Sequence, residues 1–358
     1  MDEEASKAGL AIIDASKRLI RLVTGPYNLF YDMMSEVFQV GAIRALMNFG
    51  IPQLIPLHEP LAAIVLELRF LQEVEAEMFG HTPLSALCVH DPVATRSCMW
   101  NLNVTFPVAS KIYEGLKVDP TASDNTRCAA SVAYASPEKQ ITNIRDYHRS
   151  YPTLELGFQD YVKATTRSAY YSSLHTVREF DWSSVQTVVD IGSFSGHVSM
   201  ALTEAHSHLH CIVEDLPDVI SEGRETLPPT YADKIEYLAH SFFEPPPVVT
   251  VDCFLRFILH NWLDEDVCRI IANLSPALRP GVWVVIADIV LPELGSSSGQ
   301  VEAIVRYMDS RMLALFGGRE RTKNDLVAVV PGVDRRLVWK SCAQPEGSVA
   351  SFLSFQCI

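Results

Sequence analysis

The chain is 358 residues long and 48% hydrophobic, with a formal net charge of −14 and a slightly positive mean hydropathy. That length accommodates two domains and a sizeable core. The acidic balance, with no stripe of clustered Lys and Arg, excludes nucleic acid and anionic membranes as partners and points to a small molecule.

Taken in order, the start Met1-Asp2-Glu3-Glu4 is acidic where a leader would be basic, and no apolar run approaches about 18 residues. A cytoplasmic protein without a membrane span is the expectation. Eight cysteines without C-x-x-C or Cys/His ligand spacing predict reduced thiols and no metal. From Ser6 to Phe49, apolar residues recur three and four apart, which predicts two helices separated at Pro26. Their apolar surface is too broad for a solvated arm, so they are expected to pack against a second subunit, in a homodimer, or against the second domain. The plain alternative is a helical cap on its own domain.

Ala62 to Phe79 reads as another amphipathic helix, Thr82 to Val89 as a short strand or turn, and Asp91 to Leu116 as helix. Residues 117 to 150 are polar and irregular, and Tyr151 to Phe180 resumes as helix. The domain boundary is therefore set near 145, dividing the chain into 1–145 and 146–358.

Beyond Val185 the period changes. Strands are expected at Thr187–Ile191, Leu209–Glu214, Lys234–Ala239, Val251–Arg256 and Val282–Ile289, with helices at 196–206, Pro217–Thr226 and Asp264–Leu278. This alternation predicts an α/β fold with a mostly parallel sheet covered on both faces, and ligands bind such sheets beyond the carboxyl ends of their strands.

Four strand ends carry chemistry-bearing residues. Asp190 ends the first, followed by Gly192 and Gly196 in a tight turn suited to the backbone of a nucleotide-like ligand. Phe194 stands between them, where a third glycine completes such a turn. Asp215 follows the second strand, where a carboxylate can accept two hydrogen bonds from a ribose diol. Arg256 to Glu265 contains His260, a proton-transfer candidate, with Asp288 and Glu320 as orienting acids on later segments.

These segments resemble the small-molecule O-methyltransferases that use S-adenosylmethionine, the plant and fungal natural-product group with an N-terminal dimerisation and winged-helix domain. The resemblance is carried by Asp215-Leu-Pro-Asp-Val-Ile, Leu259-His-Asn-Trp-Leu-Asp-Glu, Ala287-Asp-Ile-Val-Leu-Pro-Glu, and Met312 through Gly-Gly-Arg-Glu-Arg-Thr322. It implies a class I methyltransferase, Rossmann-like catalytic domain behind a helical domain whose winged-helix part is shortened near His58. It further implies His260 as general base, held by Asp288 and Glu320, and cofactor contacts from Asp190, Gly192, Phe194, Gly196, Asp215, Ser241 and Arg256. Met312 matches a substrate-pocket residue, and Met99, Trp100, Phe257, Trp262 and Met308 are further candidates to line the cavity.

The sequence departs from the family at Ser193 and Phe194, usually glycines, at Ser241, usually an acid that meets adenine, and at Asn261, usually Asp. Those departures erode the donor site while the base and its acids persist. The order of expectation is therefore a natural-product enzyme catalysing dehydration or pericyclic cyclisation (Diels-Alder, hetero-Diels-Alder or Alder-ene) of a polyketide-derived substrate without methyl transfer. Next come an O-methyltransferase of a phenolic or enolic metabolite and a catalytically dead regulatory dimer. The cofactor is S-adenosylmethionine or none.

Overall fold

A computed structural model describes residues 3–59, 61–62, 70–76, 78–247, 251–293 and 299–358. The chain divides into two compact units: Ala11–Pro120 with Thr126–Arg167, and Ser168–Ile358 with Thr121–Asn125 and Met1–Leu10. No helix among the described residues is long and apolar enough to cross a membrane.

The first unit is mainly helical. Helix α1 (Glu3–Asn48) is interrupted at Gly25, with φ 73° and ψ 164°. The proline at 26 bars its predecessor from the helical region, so the break falls one residue before it. After α2 (Ile51–Leu54), the segment expected as helix from Ala62 to Phe79 is instead antiparallel sheet: β1 (Leu61–Ala62), β2 (Leu71–Glu75) and β3 (Met78–His81), in the order β1-β3-β2. Leu66 and Leu68, which suggested the helical period, lie outside the described residues. What decides the rest is burial of Phe70, Leu71 and Phe79 against Met47, Ile55 and Cys88, while Gln72 to Glu75 face solvent.

Thr82 to Val89 is helix rather than strand or turn. Thr82 caps α3 (Pro83–His90) through a reciprocal box with Ser85, and Pro83 opens the first turn. Next come α4 (Pro92–Trp100), a π-helical turn (Asn101–Thr105), α5 (Phe106–Ala109) and α6 (Ile112–Val118). The stretch expected to be irregular contains α7 (Ala129–Tyr134) and α8 (Ile144–Ser150), followed by α9 (Pro152–Thr165). The unit runs to Arg167, past the expected boundary near 145, because α9 packs on α4. A Cβ on Gly157 would lie 3.1 Å from that of Trp100, and Asp160 pairs with Arg96.

The second unit begins with α10 (Ser173–Glu179) and continues β4 (Thr187–Ile191), α11 (His197–Ala205), β5 (His210–Asp215), α12 (Pro217–Thr226), β6 (Ile235–Ala239) and β7 (Asp252–Arg256). Then follow α13 (Asp264–Leu274), β8 (Trp283–Leu291), α14 (Gly299–Phe316), β9 (Arg321–Thr322), α15 (Lys323–Val333), β10 (Leu337–Ala343) and β11 (Ala350–Cys357). The principal strand order is β10-β11-β8-β7-β4-β5-β6, parallel from β8 to β6, with β11 antiparallel between β8 and β10. The expected parallel sheet is thus present.

Alternation along β4 shows how the sheet is sealed. Val188 enters a core with Val198, Leu202 and Phe254, whereas Val189 and Ile191 enter another with Ile270, Ile271 and Leu326. With both faces apolar, the strands read as continuous hydrophobic runs. The chain proceeds from β4 outward to β6, then returns to β7 on the other side of β4. That reversal leaves a crevice at the carboxyl ends of β4 and β7.

Candidate active site

The turn after β4 forms one wall of that crevice. Gly192, Phe194 and Gly196 all have left-handed backbones, with φ of 67°, 61° and 78°. A Cβ on Gly192 would come within 2.5 Å of Ile258 Cδ1, and one on Gly196 within 2.9 Å of Val213 Cγ2. Phe194 therefore adopts a backbone conformation that glycine takes more readily, at a steric cost of about 1–2 kcal/mol.

Two carboxylates hold this turn. The buried Asp190 accepts hydrogen bonds from Ser193 Oγ at 2.6 Å and Ser199 Oγ at 2.7 Å. Asp215 accepts the Phe194 N–H at 2.8 Å on Oδ2 and the Leu216 N–H at 2.7 Å on Oδ1. Burial raises the pKa of both acids, against the lowering effect of these hydrogen bonds. Ser193 is thus a structural partner of Asp190.

Arg256, at the end of β7, donates from Nη2 to the Tyr171 carbonyl at 2.6 Å and lies over the Phe257 ring, 4.4 Å from its centroid. Its Nε and both ring nitrogens of His197, the first residue of α11, are buried without hydrogen-bond partners. Burial, aided by the Arg256 charge, lowers the His197 pKa to about 4. Such orphaned groups in a ligand crevice are donors or acceptors for a bound group. His197 was missed by the sequence reading; its position immediately after the glycine turn was the available signal.

His260 forms the opposite wall, on a turn of 3-10 helix (Leu259–Asn261) after β7. Its Nδ1 lies 2.9 Å from Glu320 Oε1 and 3.6 Å from Asp288 Oδ1. Its backbone N–H donates to Asp288 Oδ2 at 3.2 Å. Glu320 therefore holds the ring and Asp288 the backbone, a division the sequence did not distinguish. With Nδ1–H donated to Glu320, Nε2 is the nitrogen left for chemistry.

Burial by itself lowers the His260 pKa, but attraction by Glu320 and Asp288 and the Glu320 hydrogen bond outweigh it and push the value up to about 9. Burial raises both carboxylates, while the imidazolium opposes that rise. Phe257 stacks on the imidazole with centroids 5.8 Å apart, and its own φ is 54°. Each wall thus has a phenylalanine in the left-handed region, where backbone strain commonly accompanies function.

The loop bearing Glu320 reaches His260 because of Gly318: a Cβ there would sit 2.3 Å from the His260 carbonyl oxygen. Asp309 on α14 accepts the Glu320 N–H at 3.0 Å, so the helix carrying the buried Met308 and Met312 adjoins the Glu320 segment.

Other candidates are engaged elsewhere. Trp100 is 2% exposed in the helical unit, donates Nε1–H to His148 Nε2 at 3.1 Å, and stacks on Tyr161. Met99 packs against the apolar cluster of that unit. Trp100 is core and Met99 is partly buried at the edge of a core, the usual fate of aromatic and Met residues at helical spacing. Trp262 packs edge-on against Phe242 and Phe243, and Ser241 Oγ accepts the Phe243 N–H at 3.3 Å. The four acid/base and turn elements, by contrast, converge on one sheet edge as the sequence implied. His260, Asp288 and Glu320 also place potential metal-ligand atoms within 4.8 Å of one another; their hydrogen bonding accounts for that cluster.

Residues 144–332 match the family model of the O-methyltransferase domain. The chain is 30% identical over 360 residues to the 6-hydroxytryprostatin B O-methyltransferase of Aspergillus fumigatus, covering 90% of this chain and all of that protein. Among solved structures, a point variant of LepI in complex with SAH and a substrate analogue gives a TM-score of 0.80 at 21% identity, covering 100% of this chain and 95% of the other. A structure described as a pericyclic reaction enzyme gives 0.77 at 20% identity, covering 97% and 94%. At those identities the structural likeness establishes the class I methyltransferase fold.

Proposed function

The chain belongs to the O-methyltransferase family, and on that premise we propose that it methylates a hydroxyl of a small natural product, using S-adenosylmethionine and His260 as proton acceptor. The observation that carries this reading is the buried Nδ1–Glu320 contact of 2.9 Å, which orients the imidazole and directs Nε2 to the acceptor. Neutral Nε2 would take the proton of the acceptor hydroxyl. When bound, the cofactor would supply the methyl carbon on a sulfonium leaving group. The hydroxyl named in the relative's substrate supports a phenolic or enolic acceptor for this chain.

The residues present fit the cofactor. Each Asp215 oxygen already takes one backbone N–H and retains acceptor capacity for a ribose hydroxyl. The turn keeps three left-handed residues through Phe194, and the unpartnered Arg256 Nε and His197 ring offer contacts for a carboxylate. Met308, Met312 and Phe257 are the proposed substrate neighbours. Exposed apolar residues on α1, among them Leu19, Leu22 and Val23, support a homodimer; light scattering at micromolar protein tests it.

Calorimetric titration with S-adenosylmethionine tests the main reading. Micromolar binding followed by methylation of a phenolic acceptor is expected; absence of binding at millimolar cofactor would overturn it. Cyclisation or dehydration without methyl transfer is the second reading. It is favoured by Phe194 in the donor turn and by an imidazolium that can donate a proton at neutral pH. It ranks below methyl transfer because the Phe194 backbone preserves the glycine geometry and the relative is named for O-methylation. The intact His260–Glu320 pair weighs against a dead regulatory dimer.

A further inference from the structure

We propose that Arg321 is the positioning residue of the base, locking the turn that bears His260 to the strand that follows Glu320. The inference rests on reading His260 as the proton-transfer group. Arg321 is 3% exposed and lies in β9, where it pairs with Val290 of β8. Its guanidinium makes contacts on both sides of His260: Nη1 donates to the Leu259 carbonyl at 2.8 Å and Nη2 to the Trp262 carbonyl at 2.9 Å. Nη2 and Nε also donate to Asp264 Oδ1, at 2.7 and 3.0 Å. One planar fork thus grips the carbonyls before and after the catalytic turn and the acid opening the next helix.

The neighbouring residue, Glu320, holds the imidazole itself. A displacement of Arg321 therefore carries Glu320 away from His260, and a displacement of the His260 turn breaks the fork. The segment is fixed from two further directions: Asp309 accepts the Glu320 N–H, and Arg319 Nη2 donates to Asp264 Oδ2 at 2.7 Å. Lysine cannot reproduce the fork, because its single ammonium cannot address both carbonyls and the carboxylate in one plane. Electrostatics separates geometry from charge. The groups acting on the imidazole are Glu320 and Asp288, which favour its protonation, and Arg321, which opposes it. Arg321→Lys keeps the opposing charge, so any loss of basicity reports the displaced Glu320.

The test is the ionisation of His260, followed by NMR on histidine-labelled full-length protein and assigned with His260→Gln. In Arg321→Lys the midpoint is expected to fall from about 9 by at least about one pH unit, toward the ordinary histidine value. Asp264→Asn, which replaces the charged acceptor of two hydrogen bonds of the fork with a neutral amide oxygen and leaves the two carbonyl contacts, should fall in the same direction by less. Asp264 is substantially exposed, so this variant provides a folded second measurement. An unchanged midpoint in folded Arg321→Lys would overturn the proposal. If that variant does not fold, an unchanged midpoint in Asp264→Asn would do so. Since the readout is protonation rather than turnover, failure of methyl transfer is distinguishable from failure of the clamp.

Discussion

The two walls of the crevice solve the same steric problem with different degrees of self-sufficiency. On the His260 wall, the ring, its backbone and the flanking carbonyls are engaged by Glu320, Asp288 and Arg321. On the β4 wall, Asp190 and Asp215 fasten the turn, yet His197 and Arg256 retain buried nitrogens without partners. Both walls contain a left-handed phenylalanine, but Phe257 lies between Arg256 and His260 whereas Phe194 occupies a glycine position. The His260 wall is preorganised by protein groups. The β4 wall has backbone shape and unpartnered buried nitrogens suited to a ligand.

The largest expected effect separates those roles directly. His260→Ala should lower methyl transfer by about 10³-fold while leaving the S-adenosylmethionine Kd within about threefold. Single-turnover rates and calorimetry measure the two quantities. A comparable loss of cofactor affinity would mean that the walls are not functionally separable.

A pH profile sharpens the division further. Because the folded His260 pKa is raised to about 9, neutral imidazole becomes abundant only as pH rises through that value. A base mechanism predicts kcat/KM increasing by about 50-fold from pH 7 to 9 and levelling near pH 10. Imidazolium acting as the acid of a dehydration predicts a fall above about 9. The stability sign is opposite to the base-rate sign: the His260 contribution is fully present below about 6.5 and is lost as pH rises through about 9. Unfolding curves of the parent and His260→Gln should therefore converge across that window.

Glu320→Gln follows, with an expected loss of about 10- to 100-fold in kcat and a small change in KM. Glu320 makes the short contact with the ring, so Asp288→Asn should alter kcat less. Equal effects would assign the two acids equal command of the imidazole.

The sheet was legible because β4 to β8 present buried β-branched runs interrupted by turn residues, and local periodicity is strongest in such segments. The antiparallel β10 and β11 lie beyond Val282–Ile289, the last strand that the alternation predicts. In the N-terminal unit, Thr82 and Pro83 carry a helix-start signal, while pairing of β2 with β3 depends on contacts that a helical period does not encode. The motif residues His260, Asp288 and Glu320 were legible as a group. The division of labour between the acids and the two-sided grip of Arg321 depended on chain closure around Gly318. His197 is marked in the sequence only by its place directly after the glycine turn; its meaning comes from two buried nitrogens without partners.

Phe194→Gly is the smallest effect and the closest test of the difference between the walls. Glycine removes a left-handed penalty of about 1–2 kcal/mol, but it also loosens the unfolded chain and deletes a partly buried ring. These opposing terms should leave stability within about 1 kcal/mol of the parent by denaturant unfolding. Since the backbone already has the glycine conformation, the S-adenosylmethionine Kd should change by less than about threefold. A gain of about tenfold or more would show that the ring itself obstructs the donor wall, and would move the balance toward cyclisation on a methyltransferase scaffold. The same substitution at Phe257 should instead weaken the His260 wall, because there the ring packs against both the guanidinium and the imidazole. Equal responses at the two positions would remove the distinction between a ring tolerated in a cofactor turn and a ring used to support the base.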